Sequence, residues 1–144
     1  MTTVVKRKGA RSTKDIQPDI LNQLNRGEIE TANLVEWLAV NQQLLLENLL
    51  QQNNRTAYLK PILTDIANLK KQTVNTVNES IGNGLLKQAV KNKDADFLTI
   101  LSTHKADLVR CWATYIIGCD TTLTIRQVLN EIQQFASDKH FGVR

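Results

Sequence analysis

The spacing of apolar residues is the feature that most constrains what this chain can fold into. Along almost its whole length, apolar side chains recur every three or four residues, the period of one face of an α-helix. The clearest example is formed by Val109, Trp112, Ala113, Ile116 and Ile117. Strand signals are weak, because the 144 residues include only two prolines and six glycines and no sustained apolar–polar alternation. The sequence therefore predicts an all-α protein.

Short helices with broad apolar faces predict a stack of helix pairs. Most of the predicted helices span about 8–14 residues and need neighbours on two sides to bury their apolar residues. Thr31, Asn41 and Asp94 are predicted to cap helix starts, and Gly82 and Gly118 to end helices. We expect antiparallel pairs stacked into a HEAT-like helical-repeat solenoid, an alpha-alpha superhelix.

Similar residues also recur at a regular spacing along the chain. The positions of Val109 and Val143, and of Ile81 and Ile117, predict a repeat of about 34–36 residues, enough for one helix–turn–helix unit. Residues 107–118 read Asp-x-Val-Arg-x-x-Ala-x-x-x-Ile-Gly and look like the second helix of a HEAT repeat.

Positive charge is concentrated at the N-terminus. The net charge is +4, and the first fourteen residues hold five cations and no acid, whereas the rest of the chain is close to neutral. We expect residues 1–14 to form a flexible basic arm and residues 15–144 a single helical-repeat domain. The arm is either a solvated terminus without a ligand or a phosphate-binding segment, which would use Lys6, Arg7, Lys8, Arg11 and Lys14.

A second basic set follows the register of the repeat. Equivalent positions of a solenoid face the same way, so cations near helix starts predict a basic stripe made of Lys105, Arg110, Lys139 and Arg144. The alternative is that the arginines form ion pairs between repeats, with acids such as Asp107 or Asp138.

Two stretches resemble a known family. "RKGARSTKDIQPDILNQLNRGEIETANLVEWLAV" near the start and "FASDKHFGVR" at the end are similar to a bacterial family of DNA alkylation repair proteins, the AlkD-like HEAT-repeat superfamily. The resemblance spans the chain but only the N-terminal part of the family's longer proteins. It implies an α-helical solenoid whose basic concave face cradles duplex DNA.

The same resemblance bears on enzymatic activity. Some members of the family are glycosylases that remove alkylated purines, using an aspartate with nearby tryptophans and an arginine; others bind DNA without that activity. Neither Trp37 nor Trp112 is followed by an acid one helical turn later, where Asn41 and Ile116 stand. We therefore expect a DNA-binding protein, with glycosylase activity left open and not favoured. The alternative is a scaffold that binds a helix or peptide of another protein on its concave face.

Other sites are not predicted. The sequence contains no motif for a cofactor and no metal-ligand spacing of His, Cys or acids. No apolar run approaches the ~20 residues of a membrane span. If the predicted helix continues through Cys119, Cys111 and Cys119 lie about 12 Å apart and cannot form a disulfide, so we expect reduced thiols and a cytoplasmic protein. A helical pattern begins after Asp138 and stops at Arg144, from which we expect a chain truncated at its C-terminus.

Overall fold

The computed structural model describes residues 7–119 and Gln127, and every regular element in that part of the chain is helical. Short 3-10 turns occupy Thr13–Asp15 and Thr56–Tyr58. The seven α-helices of the described residues are α1 (Pro18–Asn25), α2 (Leu34–Ala39), α3 (Gln42–Gln52), α4 (Leu59–Ala67), α5 (Val74–Lys91), α6 (Ala95–Ser102) and α7 (Asp107–Cys119). The predicted all-α class is confirmed for these residues. Within them no helix combines the length and apolar character that crossing a membrane requires.

Side-chain caps begin several helices. The Asn41 carboxamide oxygen accepts a hydrogen bond from the Leu44 N–H at 3.0 Å, and the Asp94 carboxylate accepts one from the Phe97 N–H at 3.3 Å. Each satisfies a backbone donor that the first helical turn leaves without a partner. Both predicted caps are confirmed.

The start of α2 differs from the prediction. Its cap is Asn33, whose side chain accepts from the Glu36 N–H at 3.0 Å, and not Thr31. Thr31 is buried and binds Asp107 of α7 instead. The prediction was wrong because Asn33, closer to the apolar run, satisfies the same orphan N–H groups.

Helix α5 is continuous where the sequence predicted two helices separated at Gly82. A Cβ atom at Gly82 would lie 2.7 Å from the Tyr115 Cβ, and one at Gly84 would lie 2.6 Å from the Ile62 Cγ1. Both glycines therefore permit close packing against neighbouring helices and do not end α5. α7 likewise continues one residue beyond Gly118.

The core lies around α5, which packs against α3, α4, α6 and α7. Trp112 is fully buried there, as predicted, and its indole N–H donates to the Asn78 carboxamide oxygen at 2.7 Å. This bond satisfies a polar group that burial would otherwise leave unpaired. The largest fully buried side chains around it are Phe97, Leu45, Leu46, Leu49, Leu50, Ile62, Ile66, Ile81, Leu85, Leu101 and Leu108.

The turns that follow α3 and α5 have the same form. Asn54 and Lys93 adopt left-handed φ angles of 59° and 52°. In each turn the N–H of the next residue, Arg55 or Asp94, returns at 2.8 Å to a carbonyl of the preceding helix. The two turns lie 39 residues apart, a longer spacing than the predicted one.

One polar cluster joins these two turns; we call Arg55, Tyr58, Asp94 and Phe97 the Arg55 cluster. The Arg55 guanidinium donates to both Asp94 carboxylate oxygens, at 2.6 and 2.9 Å, and the Tyr58 hydroxyl donates to Asp94 at 2.7 Å. The guanidinium carbon also lies 4.8 Å from the centre of the Phe97 ring. The hydrogen bond from Arg55 is the main reason why the Asp94 pKa falls to about 2, although burial opposes the shift.

Candidate nucleic-acid interface

The first described residues of the predicted arm lie against α2. Arg7 donates to both carboxylate oxygens of Glu36, and the Asn33 carboxamide donates to the Ala10 carbonyl at 2.8 Å. Gly9 allows this close approach, because a Cβ at that position would lie 2.3 Å from the Asn33 Nδ2. Residues 7–10 are therefore attached to the body of the protein.

Glu36 stabilises this attachment by binding Arg7. Its carboxylate is buried and also accepts the Ala32 N–H at 2.9 Å. Burial alone would raise the Glu36 pKa, but hydrogen bonds from Arg7 and Ala32 outweigh it and lower the pKa. The carboxylate is therefore ionised at neutral pH and keeps Arg7 in place.

Arg110, on the first turn of α7, is also held by several partners. One of its amino groups donates to the carbonyls of His104 and Lys105, at 2.8 and 3.1 Å. The other donates to the Glu30 carboxylate, with which it forms an ion pair. An ion pair was the predicted alternative for Arg110, but its partner is Glu30 and not Asp107.

Glu30 brings the two predicted basic sets together. Its carboxylate binds Arg110, and its backbone carbonyl accepts a hydrogen bond from Arg7 at 3.0 Å. We call Arg7, Glu30, Glu36 and Arg110 the Glu30 junction. It places the N-terminal segment beside the start of α7, although the two are far apart in the sequence.

A buried bond fixes the junction to the core. The Asp107 carboxylate accepts the Thr31 N–H at 2.9 Å and the Thr31 hydroxyl at 2.8 Å. Because both residues are buried, this pair sets the position of the neighbouring Glu30 relative to α7. Sequence reasoning missed Glu30, Glu36 and Thr31 as parts of this region.

The lysines beside the junction are exposed. Lys8 follows Arg7, and Lys105 contributes the carbonyl that Arg110 binds. Arg11 and Lys14 are exposed further along the N-terminal segment. Lys8 and Lys105 thus lie on the two segments that the Glu30 junction joins, and Arg11 and Lys14 follow on the N-terminal one. The predicted contacts Lys6, Lys139 and Arg144 lie outside the described residues.

His104 and Cys111 face inward. The His104 Nδ1 accepts the Ala106 N–H at 2.9 Å. Burial, followed by the charges of Lys105 and Arg110, lowers the His104 pKa. Burial also raises the pKa of the Cys111 thiol to about 11, so the thiol is protonated at neutral pH. Within the described part of the chain, no three His, Cys or acidic residues are grouped so that they could hold a metal ion.

The described fold defines an all-α protein whose N-terminal segment lies beside the start of α7. No family model, curated protein or solved structure matches the sequence.

Proposed function

We propose that this chain is a DNA-binding helical-repeat protein that contacts the phosphate backbone of duplex DNA. The observation that carries the proposal is the Glu30 junction, which places the basic N-terminal segment beside the start of α7. Four exposed cations lie on these two segments: Lys8, Arg11, Lys14 and Lys105. Arg7 attaches one segment and Arg110 the other.

The chemistry of this surface suits phosphates better than bases. Lysine and arginine on duplex DNA release condensed counterions, which gives affinity without sequence specificity. None of the four exposed cations is adjacent in sequence to a Phe, Tyr or Trp side chain on which an unpaired base could stack. The partner proposed is therefore the backbone of a duplex.

The family resemblance supports the same proposal, because the AlkD-like repair proteins bind duplex DNA on a basic face of stacked helices. The two matching turns after α3 and α5 are compatible with such a stack. Glycosylase activity is not part of the proposal: Trp112 is enclosed in the core, and no acid lies one turn after either tryptophan.

The test is a DNA-binding titration at several salt concentrations. The variant Lys8→Gln, Arg11→Gln, Lys14→Gln is compared with a control, Lys60→Gln, Lys70→Gln, Lys71→Gln, which removes the same charge from other exposed positions. The wild-type affinity should fall steeply with salt. Each lost phosphate contact makes the negative slope of log K against log salt less steep by about 0.9. We expect the first variant to lose two to three such contacts and the control close to none.

Two outcomes would contradict the proposal. Equal losses in the two variants would mean that net charge and not this surface binds DNA. Absence of binding by the wild type at low salt would leave a protein partner as the better hypothesis. Leu34 and Leu38 would then be the residues to vary, since both are more than half exposed and lie one turn apart on α2.

A further inference from the structure

Arg110 is positioned without the help of Glu30. Its Nη1 group donates to two backbone carbonyls, those of His104 and Lys105, which precede α7. The direction of the guanidinium is therefore set by the chain around it. Its Nη2 group points to Glu30.

The two members of this ion pair differ sharply in exposure. The Arg110 side chain is 13% exposed, whereas the Glu30 side chain is 48% exposed. The arginine is thus largely enclosed, whereas the carboxylate bound to it is half open to solvent. A half-exposed glutamate keeps part of its hydration, and Arg110 keeps its bonds to the His104 and Lys105 carbonyls when Glu30 leaves.

We propose that the Glu30 carboxylate occupies the place of a DNA phosphate on Arg110 and lowers the affinity of this surface for DNA. This inference rests on the proposed function and adds a regulating residue to it. A phosphodiester oxygen offers Arg110 the same charge-assisted hydrogen bond as the carboxylate. When DNA binds, the Glu30 side chain turns into solvent and a phosphate takes its position.

Arg7 is not exchanged in this way. It donates to both oxygens of Glu36, which is buried and also fixed by the Ala32 N–H. Glu36 is 1% exposed, so moving its carboxylate into solvent would break these bonds. Arg7 therefore keeps the N-terminal segment in place while Arg110 changes partner.

The experiment compares Glu30→Gln with Glu28→Gln in the complete chain. Glu28 is exposed, lies two residues from Glu30 and forms no ion pair among the described residues. Glu28→Gln therefore changes the net charge by the same amount as Glu30→Gln without removing an ion pair. Duplex DNA is titrated at several salt concentrations. We expect Glu30→Gln to bind three- to tenfold more tightly than wild type with an unchanged salt slope, because Arg110 contacts the same phosphate in both complexes. Glu28→Gln should change affinity less than twofold and leave the slope unchanged.

The outcomes separate this inference from the proposed function. DNA binding by the wild type with no gain in Glu30→Gln, or with an equal gain in Glu28→Gln, overturns the role of Glu30 and leaves the DNA-binding function standing. No binding by wild type or Glu30→Gln overturns both. Circular dichroism and urea unfolding of the two variants show whether a loss of binding reflects a loss of folding, in which case Glu30 is a structural residue and the inference fails.

Discussion

Two arginine–carboxylate sites in this molecule use the same groups in different surroundings. In the Arg55 cluster, the carboxylate of Asp94 binds Arg55 through both oxygens, accepts the Tyr58 hydroxyl and caps α6. In the Glu30 junction, the carboxylate of Glu30 binds Arg110 and remains half exposed. The first carboxylate has no room for another ligand, and the second is open to exchange.

On the proposed function, the number of fixed partners, more than the presence of an ion pair, separates structural from exchangeable charges. A half-exposed carboxylate such as Glu30 loses less when the pair separates, because water replaces the hydrogen bond on its side. Pairs with several hydrogen bonds and little exposure are costly to break from one side only, since the remaining charge keeps no partner. We therefore expect Asp94 to matter for folding and Glu30 for binding.

The largest effect is expected when each carboxylate is removed in turn. Asp94→Ala should lower the free energy of unfolding by about 2–4 kcal/mol, because Arg55, Tyr58 and the first turn of α6 all lose a partner. Glu30→Ala should lower it by about 1 kcal/mol or less. Urea unfolding followed by circular dichroism measures both. Equal losses in the free energy of unfolding would show that Asp94 and Glu30 stabilise the fold to the same extent.

A smaller effect should appear on acidification. The pKa of Asp94 is lowered from 3.8 to about 2, chiefly by Arg55. Its contribution to stability is therefore complete above pH 4 and is lost as pH falls from about 4 to 2, as Asp94 becomes protonated. The loss is on the order of 1–2 kcal/mol.

Asp94→Asn provides the matched control for this titration, since asparagine keeps the ability to cap α6. Urea unfolding of wild type and variant should converge between pH 4 and pH 2. A constant difference over that range would show that the Asp94 charge does not stabilise the fold. The lowered pKa of Glu36 acts equally in both proteins and cancels in the comparison.

The smallest effect concerns the attachment of residues 7–10. Gly9→Ala would displace Asn33, which caps α2 and binds Ala10. We expect a loss of about 1 kcal/mol, the usual contribution of an N-cap, and faster hydrogen exchange at the Glu36 amide. Lys8→Ala, at an exposed neighbouring position, should leave both unchanged. If Gly9→Ala also has no effect, the segment behaves as the detached arm that the sequence predicted.

Local signals explain what the sequence could predict. The class of the fold follows from helical periodicity, and the caps at Asn41 and Asp94 follow from residues a few positions away. The role of Gly82 could not be predicted from local sequence signals. A glycine inside an apolar pattern is equally consistent with a helix end and with close packing, and only the position of Tyr115 on α7 decides between them.

The partners of charged residues depended on distant parts of the chain. Asp107 is close to Arg110 in sequence and was an example of its ion-pair partner in the alternative to a basic stripe, but the Asp107 carboxylate binds Thr31. Arg110 instead binds Glu30, 80 residues away. A single sequence gives no indication of such a pairing, because it depends on how α1, α2 and α7 are arranged in space.

These long separations also determine when the proposed binding surface can exist. The bonds from Thr31 to Asp107 and from Arg110 to Glu30 span 76 and 80 residues, against 39 for the Arg55 cluster. Closing such long loops has an entropic cost that only a nearly complete core can offset. During synthesis the basic N-terminal segment emerges well before α7. A growing chain therefore carries its positive charge before it has the junction that positions it.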